Sequence, residues 1–267
     1  YNDVNNVTVG VVGATTGVTL SDATFTLTTT AGNLTVNEAV STGTGSIDLD
    51  IQGTIGLNNT LNATTGSITV DASGLTTIAA AGDITTTTGN VSFGATETGG
   101  VSTAGNVSTG GGSVRYYRAV TLGGDIGVST GGAGGDIQFD STIDGGQTLT
   151  LTAGTGGIDL QGIVGAAPAL ASVVVNSAMT ARFDADVTTT GVQSITAGTI
   201  RTSGTHSTTN SAVTLTGNLV MLGDTILDAG TSTVNVSGTI DGAFPFTANA
   251  GGLTTIGNSV GTGTPLT

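Results

Sequence analysis

Six short segments repeat one residue pattern at a spacing that barely changes, and this restricts the fold more than any other feature of the chain. They are GSIDL (45–49), GSITV (66–70), GNVSF (89–93), GSVRY (112–116), GDIQF (135–139) and GGIDL (156–160). Each runs Gly, a small or polar residue, a β-branched residue, a polar residue, then a large apolar one. The third positions, Ile47, Ile68, Val91, Val114, Ile137 and Ile158, are spaced 21, 23, 23, 23 and 21 residues apart. The fifth positions are Leu49, Val70, Phe93, Tyr116, Phe139 and Leu160. Alternation with a period of two is the pattern of a strand buried on one face. The leading glycine marks a turn, and positive φ is the ordinary reason for glycine there.

Two further series share the period. Ile55, Ile78 and Val101 are 23 apart, as are Leu61, Ile84 and Val107. Three series with one period predict three short strands per turn of a coil, each turn stacked on the last with like residues in register. The expected fold is all-β, a parallel β-helix (β-solenoid) with rungs of 20–23 residues running as one continuous unit over 1–267. The segments ATFTL (23–27), GTIRT (198–202), GNLVM (217–221) and GTIDG (238–242) extend the series, the later ones at a looser period near 20. About twelve rungs result, a rod of some 55–60 Å at the spacing between neighbouring strands. A longer repeat overlies this one: residues 141–172 resemble 238–267, with their Thr-Ile-Asp-Gly quartets 97 residues apart. The second copy stops where the first continues into a Val-Val-Val strand at 173–175, as expected for part of a longer array.

Composition agrees with thin, repeated layers. Aromatic residues are 3%, charged residues 8%, Gly numbers 46 and Trp is absent, so no thick core of large side chains can form. About one residue in five is Thr, which suits pleated strands. The hydrophobic fraction of 37% is too high for a disordered tract. The net charge is −14, and Arg115, Arg118, Arg182 and Arg201 are the only cationic side chains. Nucleic acid, which needs clustered cations, is not an expected partner. Without Lys there are no Lys–Asn isopeptide crosslinks, and without Cys no disulfides. No apolar run approaches 18 residues, so membrane insertion is not expected. The chain opens at Tyr1 with neither Met nor a signal peptide, and reads as a mature protein or a piece of a longer one.

The stretches at 134–175 and 211–242 resemble the repeat regions of giant bacterial surface proteins, the filamentous-haemagglutinin-like adhesins and related β-strand-repeat exoproteins. The resemblance covers most of the chain, most clearly from about residue 120 onward. It implies a right-handed parallel β-helix, secretion, and a role as an adhesin or extracellular filament. The Asn-Pro-Asn-Gly-type motif of that family's N-terminal secretion domain is not found in this sequence.

Several groups invite a functional reading. GGAGGDIQFD (131–140) shares the glycines and aspartate of a calcium nonapeptide, yet no second copy lies nine residues away and Gln138 fills the apolar position. It reads as a turn, with Asp136 at the corner and Ile137 and Phe139 pointing inward. Asp48 and Asp50 share one strand face, and Asp71 follows so as to stack beside them, where a hard cation would relieve the repulsion. Asp136 and Asp159, 23 apart, repeat the idea more weakly. Asp184 and Asp186 near Arg182 come closest to the carboxylate cluster of a polysaccharide lyase or hydrolase. Tyr116 reads as inward, leaving Arg115, Tyr117 and Arg118 as an exposed patch for a glycan or a neighbouring subunit. His206 has no partner in sequence and reads as a loop residue. Asn33, Asn62, Asn90 and Asn106 head glycosylation sequons that also arise where Asn opens a turn.

The sequence therefore predicts a non-enzymatic structural protein of an extracellular filament, cell-surface fibre or adhesin stalk that self-associates through stacked rungs. No catalytic, cofactor-binding or metal residue is assigned, and calcium is the one ion entertained. A β-helical polysaccharide-active enzyme and a calcium-stabilised surface-layer protein are the alternatives. Three or more carboxylates or arginines converging in a groove on one flank would favour the enzyme.

Overall fold

A computed structural model describes residues 2–267 and contains strands and turns with no helix. The strands stack in parallel as a β-solenoid of about eleven turns. The spacing gave about twelve, and the difference lies at the ends, where the coil is incomplete. At one end Asn2–Asp3 is a two-residue strand, and at the other Val260 contributes a single bridge.

Each turn lays one strand on each of three faces. Face A carries Phe25–Thr29, Ile47–Ile51, Ile68–Ala72, Val91–Phe93, Val114–Tyr116, Ile137–Phe139, Gly157–Leu160 and Thr180–Phe183. Face B begins with Val7–Val9, Leu34–Val36, Ile55–Leu57 and Thr76–Ile78, and face C with Val18–Leu20, Val40–Thr42, Leu61–Ala63 and Ile84–Thr86. Beyond residue 190 the corners tighten. Gln193–Thr208 and Val213–Asp228 each bend through faces C, A and B as one long strand. A short antiparallel hairpin, Val11–Val12 with Thr15–Thr16, interrupts the first turn and has no counterpart in the sequence reading.

The six anchors stack as their spacing required: Ile47 under Ile68, then Val91, Val114, Ile137 and Ile158. Phe25 below them and the Ile200–Leu219–Ile240 series above also fall on face A. Leu61, Ile84 and Val107 are in register on face C. The series Ile55, Ile78, Val101 is corrected. Ile55 lies under Thr76 and Thr76 under Val101, while Ile78 pairs with Leu57 and Thr103. A shorter turn and then a longer one, swollen by the loop 94–100, add up to the same total as two equal periods. Thr76 is buried in the place assigned to an aliphatic residue.

The glycine column has a different cause from the one expected. None of Gly45, Gly66, Gly89, Gly112, Gly135 or Gly156 is among the positive-φ glycines. Instead, each is buried directly over its equivalent one turn below. A Cβ on Gly89 would lie 1.9 Å from the carbonyl oxygen of Gly66, and one on Gly112 would lie 1.9 Å from that of Gly89. Clearance between backbones, not torsion, selects glycine here. The buried carbonyls need donors, and inward threonines supply them. Thr42 donates to Gly45 at 2.6 Å, Thr86 to Gly89 at 2.7 Å and Thr130 to Gly135 at 2.6 Å, and Thr109 does the same for Gly112.

The core is a set of columns one residue wide. Its widest members form a stack on face A, where Tyr116 lies between Phe93 and Phe139 with ring centroids 4.4 and 4.5 Å away. The Tyr116 hydroxyl is buried without a partner, and burial pushes its pKa up.

Gly89→Ala should cost about 2–3 kcal/mol in urea unfolding, because backbone must move to admit the methyl group. Gly132→Ala, where a Cβ meets nothing within 4 Å, should be close to neutral.

Candidate functional site

Polar side chains serve first to join the turns. At the corner before face A, Ser46 N–H donates to Thr24 Oγ1, Ser67 N–H to Ser46 Oγ and Asn90 N–H to Ser67 Oγ. The chain of bonds continues from Ser113 N–H to Asn90 Oδ1, Asp136 N–H to Ser113 Oγ, and Gly157 N–H to Asp136 Oδ1 at 2.7 Å. Each side chain thus accepts the N–H one turn above, which the strand ladder leaves free. Parallel links run through Asn33 to Thr54 and through Asp83 and Asn106 to Gly127. The calcium-like aspartate is therefore a rung connector. Of the sequon asparagines named above, Asn33, Asn90 and Asn106 are connectors too, while the amide of Asn62 donates to Thr85.

The acidic cluster is partly as expected. Asp50 pairs directly with Asp71, and Asp48 with Thr69. Asp71 is buried and accepts from Ala95 N–H at 2.6 Å and Thr96 Oγ1 at 2.9 Å, which anchors the loop after face A. Burial raises the Asp50 pKa, and Glu97, Asp71 and Asp48 raise it further. Among the described residues no three acids or histidines are arranged to hold a metal ion. The second acidic pair is corrected. The turn between them is 21 residues, so Asp159 lies over Gln138, and Asp136 lies beside Gly157.

Face A carries three of the four arginines. Arg115, Gln138, Asp159, Arg182 and Arg201 form one outward row, each above the last. Arg115 clasps Asp140 at 2.8 Å and lies over the Tyr117 ring at 4.2 Å. Arg118 leaves this patch and donates to the carbonyls of Gly94 and Glu97 at 3.1 and 2.7 Å. A shallow cleft of about 260 Å³ opens beside Asp136, Gln138, Asp159, Thr180 and Arg182. Arg182 Nε lies 2.7 Å from Asp184 and 4.0 Å from Asp159, and Gln161 donates to Asp159. Asp186 turns away to accept Thr205 N–H at 2.7 Å. Asp159, Arg182 and Asp184 do converge, but as two acids sharing one arginine. Of these, Asp159 and Arg182 line the cleft.

His206 is not in a loop. It lies in Gln193–Thr208, fully buried on face B between Val187 and Leu227. Gln193 donates through Nε2 to the carbonyls of Val187 and Ser207, so its Oε1 is the acceptor facing His206 Nδ1 at 2.9 Å. This fixes the proton on Nδ1 and leaves Nε2 to accept from Thr202 Oγ1 at 2.8 Å. The Phe183 ring meets the imidazole edge-on at 5.2 Å. Burial lowers the pKa to about 4 against a weaker opposing pull from Asp186. No sequence signal announced this network, because Gln193, Thr202 and His206 come together only when one turn closes.

Three outcomes follow. Between pH 6.5 and 4 the unfolded chain holds a proton on His206 that the folded chain does not, so stability should fall on acidification by about 3 kcal/mol. Urea unfolding at pH 7.5 and 4.5 should show that loss in the native chain and much less of it in His206→Gln. Asp71→Ala should cost about 1–3 kcal/mol by orphaning two donors. The melting temperature of the native chain should be the same in calcium and in chelator.

Comparison with family models, with curated proteins and with solved structures finds no match to this chain.

Proposed function

We propose that this chain is a non-enzymatic structural rod, a segment of an extracellular fibre or adhesin stalk. The observation that carries the reading is where the polar groups are used. Backbone hydrogen bonds run along the axis from turn to turn, and a second ladder of Ser, Asn and Asp side chains runs beside them at the corners. The acids that resembled a metal loop or a catalytic pair hold turns, anchor a loop or pair with arginine. Such a solenoid resists extension along its axis because strands on all three faces join each turn to the next. The outward Thr, Ser and Asp keep its surface hydrated. The resemblance to filamentous-haemagglutinin-like adhesins points the same way, toward secretion and the cell surface, and toward glycans as the ligands an adhesin would meet. The Arg115–Tyr117 pair, a cation on an aromatic face beside Asp140, is the part of the flank best suited to touch such a ligand.

The reading is tested by incubating the purified chain with neutral and acidic polysaccharides and following reducing ends and unsaturated products. No cleavage is the expected result, with or without Arg182→Ala. Cleavage by the native chain that is lost in Asp159→Asn or Arg182→Ala would replace the rod with an enzyme.

A further inference from the structure

The three faces of the coil differ in charge. Face A holds Asp48, Asp50, Asp71 and Asp159 beside its arginines, and face B holds Asp144 and Asp228. Among the described residues none on face C is charged, and this includes the parts of the two long strands, 193–196 and 213–216, that lie on it. The corners beside face C divide the rod in two. In the first half they hold Asp22, Glu38, Asp83, Asp125 and Asp136, whereas from Gly145 onward neither corner holds a charge.

In this second half five strands stack in register on face C: Thr148–Thr152, Ser172–Ser177, 193–196, 213–216 and Val234–Val236. Their central outward column is Thr150, Val174, Ser194, Thr214 and Asn235, all half-buried among their neighbours. Apolar side chains stand at both margins of the column. Val192, whose carbonyl accepts Val173 N–H, is 43% exposed at one corner, and Met179 is 63% exposed at the other. One turn below Val192, the exposed Ala166, Ala167 and Pro168 belong to the same uncharged corner.

Depletion of charge, more than bulk hydrophobicity, distinguishes the centre of an interface, and grouped exposed apolar side chains mark contact surfaces. Charge also narrows the occupant. Two copies of net charge −14 repel wherever their acids meet, and this flank lets them touch with no acid set against another. A cationic partner would find nothing here to pair with. Five strands at about 4.8 Å and about 20 Å of strand length give close to 500 Å² per copy. Two copies then bury about 1,000 Å², which reaches the size of a specific contact. Further turns of the coil would stack above and below and leave this flank open.

We infer that two copies of this chain pair side by side through the second half of face C. The inference rests on the rod reading and adds lateral pairing to it. The same patch meets itself about a twofold axis, so the contact closes at a pair. Val174, Val192 and Met179 lose their exposure in it, and the acids of faces A and B stay in water.

Sedimentation velocity of the full chain over a range of concentrations, in low and high salt, tests this. The native chain should show a monomer–dimer equilibrium that moves toward dimer as salt screens the acids outside the contact. Val174→Asp and Thr214→Asp should each weaken pairing at least about tenfold, with circular dichroism unchanged. Thr121→Asp, at an exposed outward position on face B, should pair as the native chain does. If an aspartate loosens its own strand, Val192→Asp, at an exposed corner outside any strand, serves in its place. A native chain that is monomeric at every concentration, or face C variants that pair as well as it does, overturns the pairing. So does a monomer that uses this flank to bind a neutral polysaccharide. Monomers that leave polysaccharides intact still fit a single structural rod, whereas polysaccharide cleavage removes the rod reading whether or not copies pair.

Discussion

Parallel stacking at about 4.8 Å per turn sets the terms for every residue of this solenoid. A residue meets its equivalent above and below before it meets anything else, so the properties of single side chains become properties of columns. Where two backbones approach at the corner, a Cβ has no room and glycine recurs at Gly45, Gly66, Gly89, Gly112, Gly135 and Gly156. Flat rings stack, as in Phe93–Tyr116–Phe139, and the nearly parallel planes, 11° and 6° apart, follow from the strand spacing. Like charges that meet in a column repel: burial raises the pKa of Asp50, and Glu97 and then Asp71 directly above it raise it further, whereas Asp159 under Arg182 forms a pair.

The same constraint explains how the polar side chains at the corners are used. A corner breaks the strand ladder and frees N–H and carbonyl groups that cannot reach water easily. Ser, Asn and Asp just after the glycine accept the N–H from above, and the inward Thr before it donates its hydroxyl to the glycine carbonyl. Gln193, Thr202 and His206 make one turn of the core polar, and its groups satisfy one another. The network leaves the imidazole neutral in a setting where charge is disfavoured. Acid is therefore the condition under which this turn is weakest.

Periodicity in the sequence determined the all-β stacked coil, the inward ladder from Ile47 to Ile158, the placement of Tyr116 in the core and the reading of Asp136 as a corner residue. These follow from spacing alone, since a side chain that recurs once per turn has nowhere to go but over its predecessor. The sequence also located the Asp50–Asp71 contact and the long repeat. Only the tertiary structure decided the rest. Unequal turns of compensating length hid the Thr76 register, because two departures from the mean period cancel in the sum. His206 looked isolated because Gln193 and Thr202 reach it through the closure of a single tight turn, a contact no local pattern records. The glycine column was legible as glycine, but its cause was not. Torsion is a local property, and clearance between two backbones exists only once the turns are stacked.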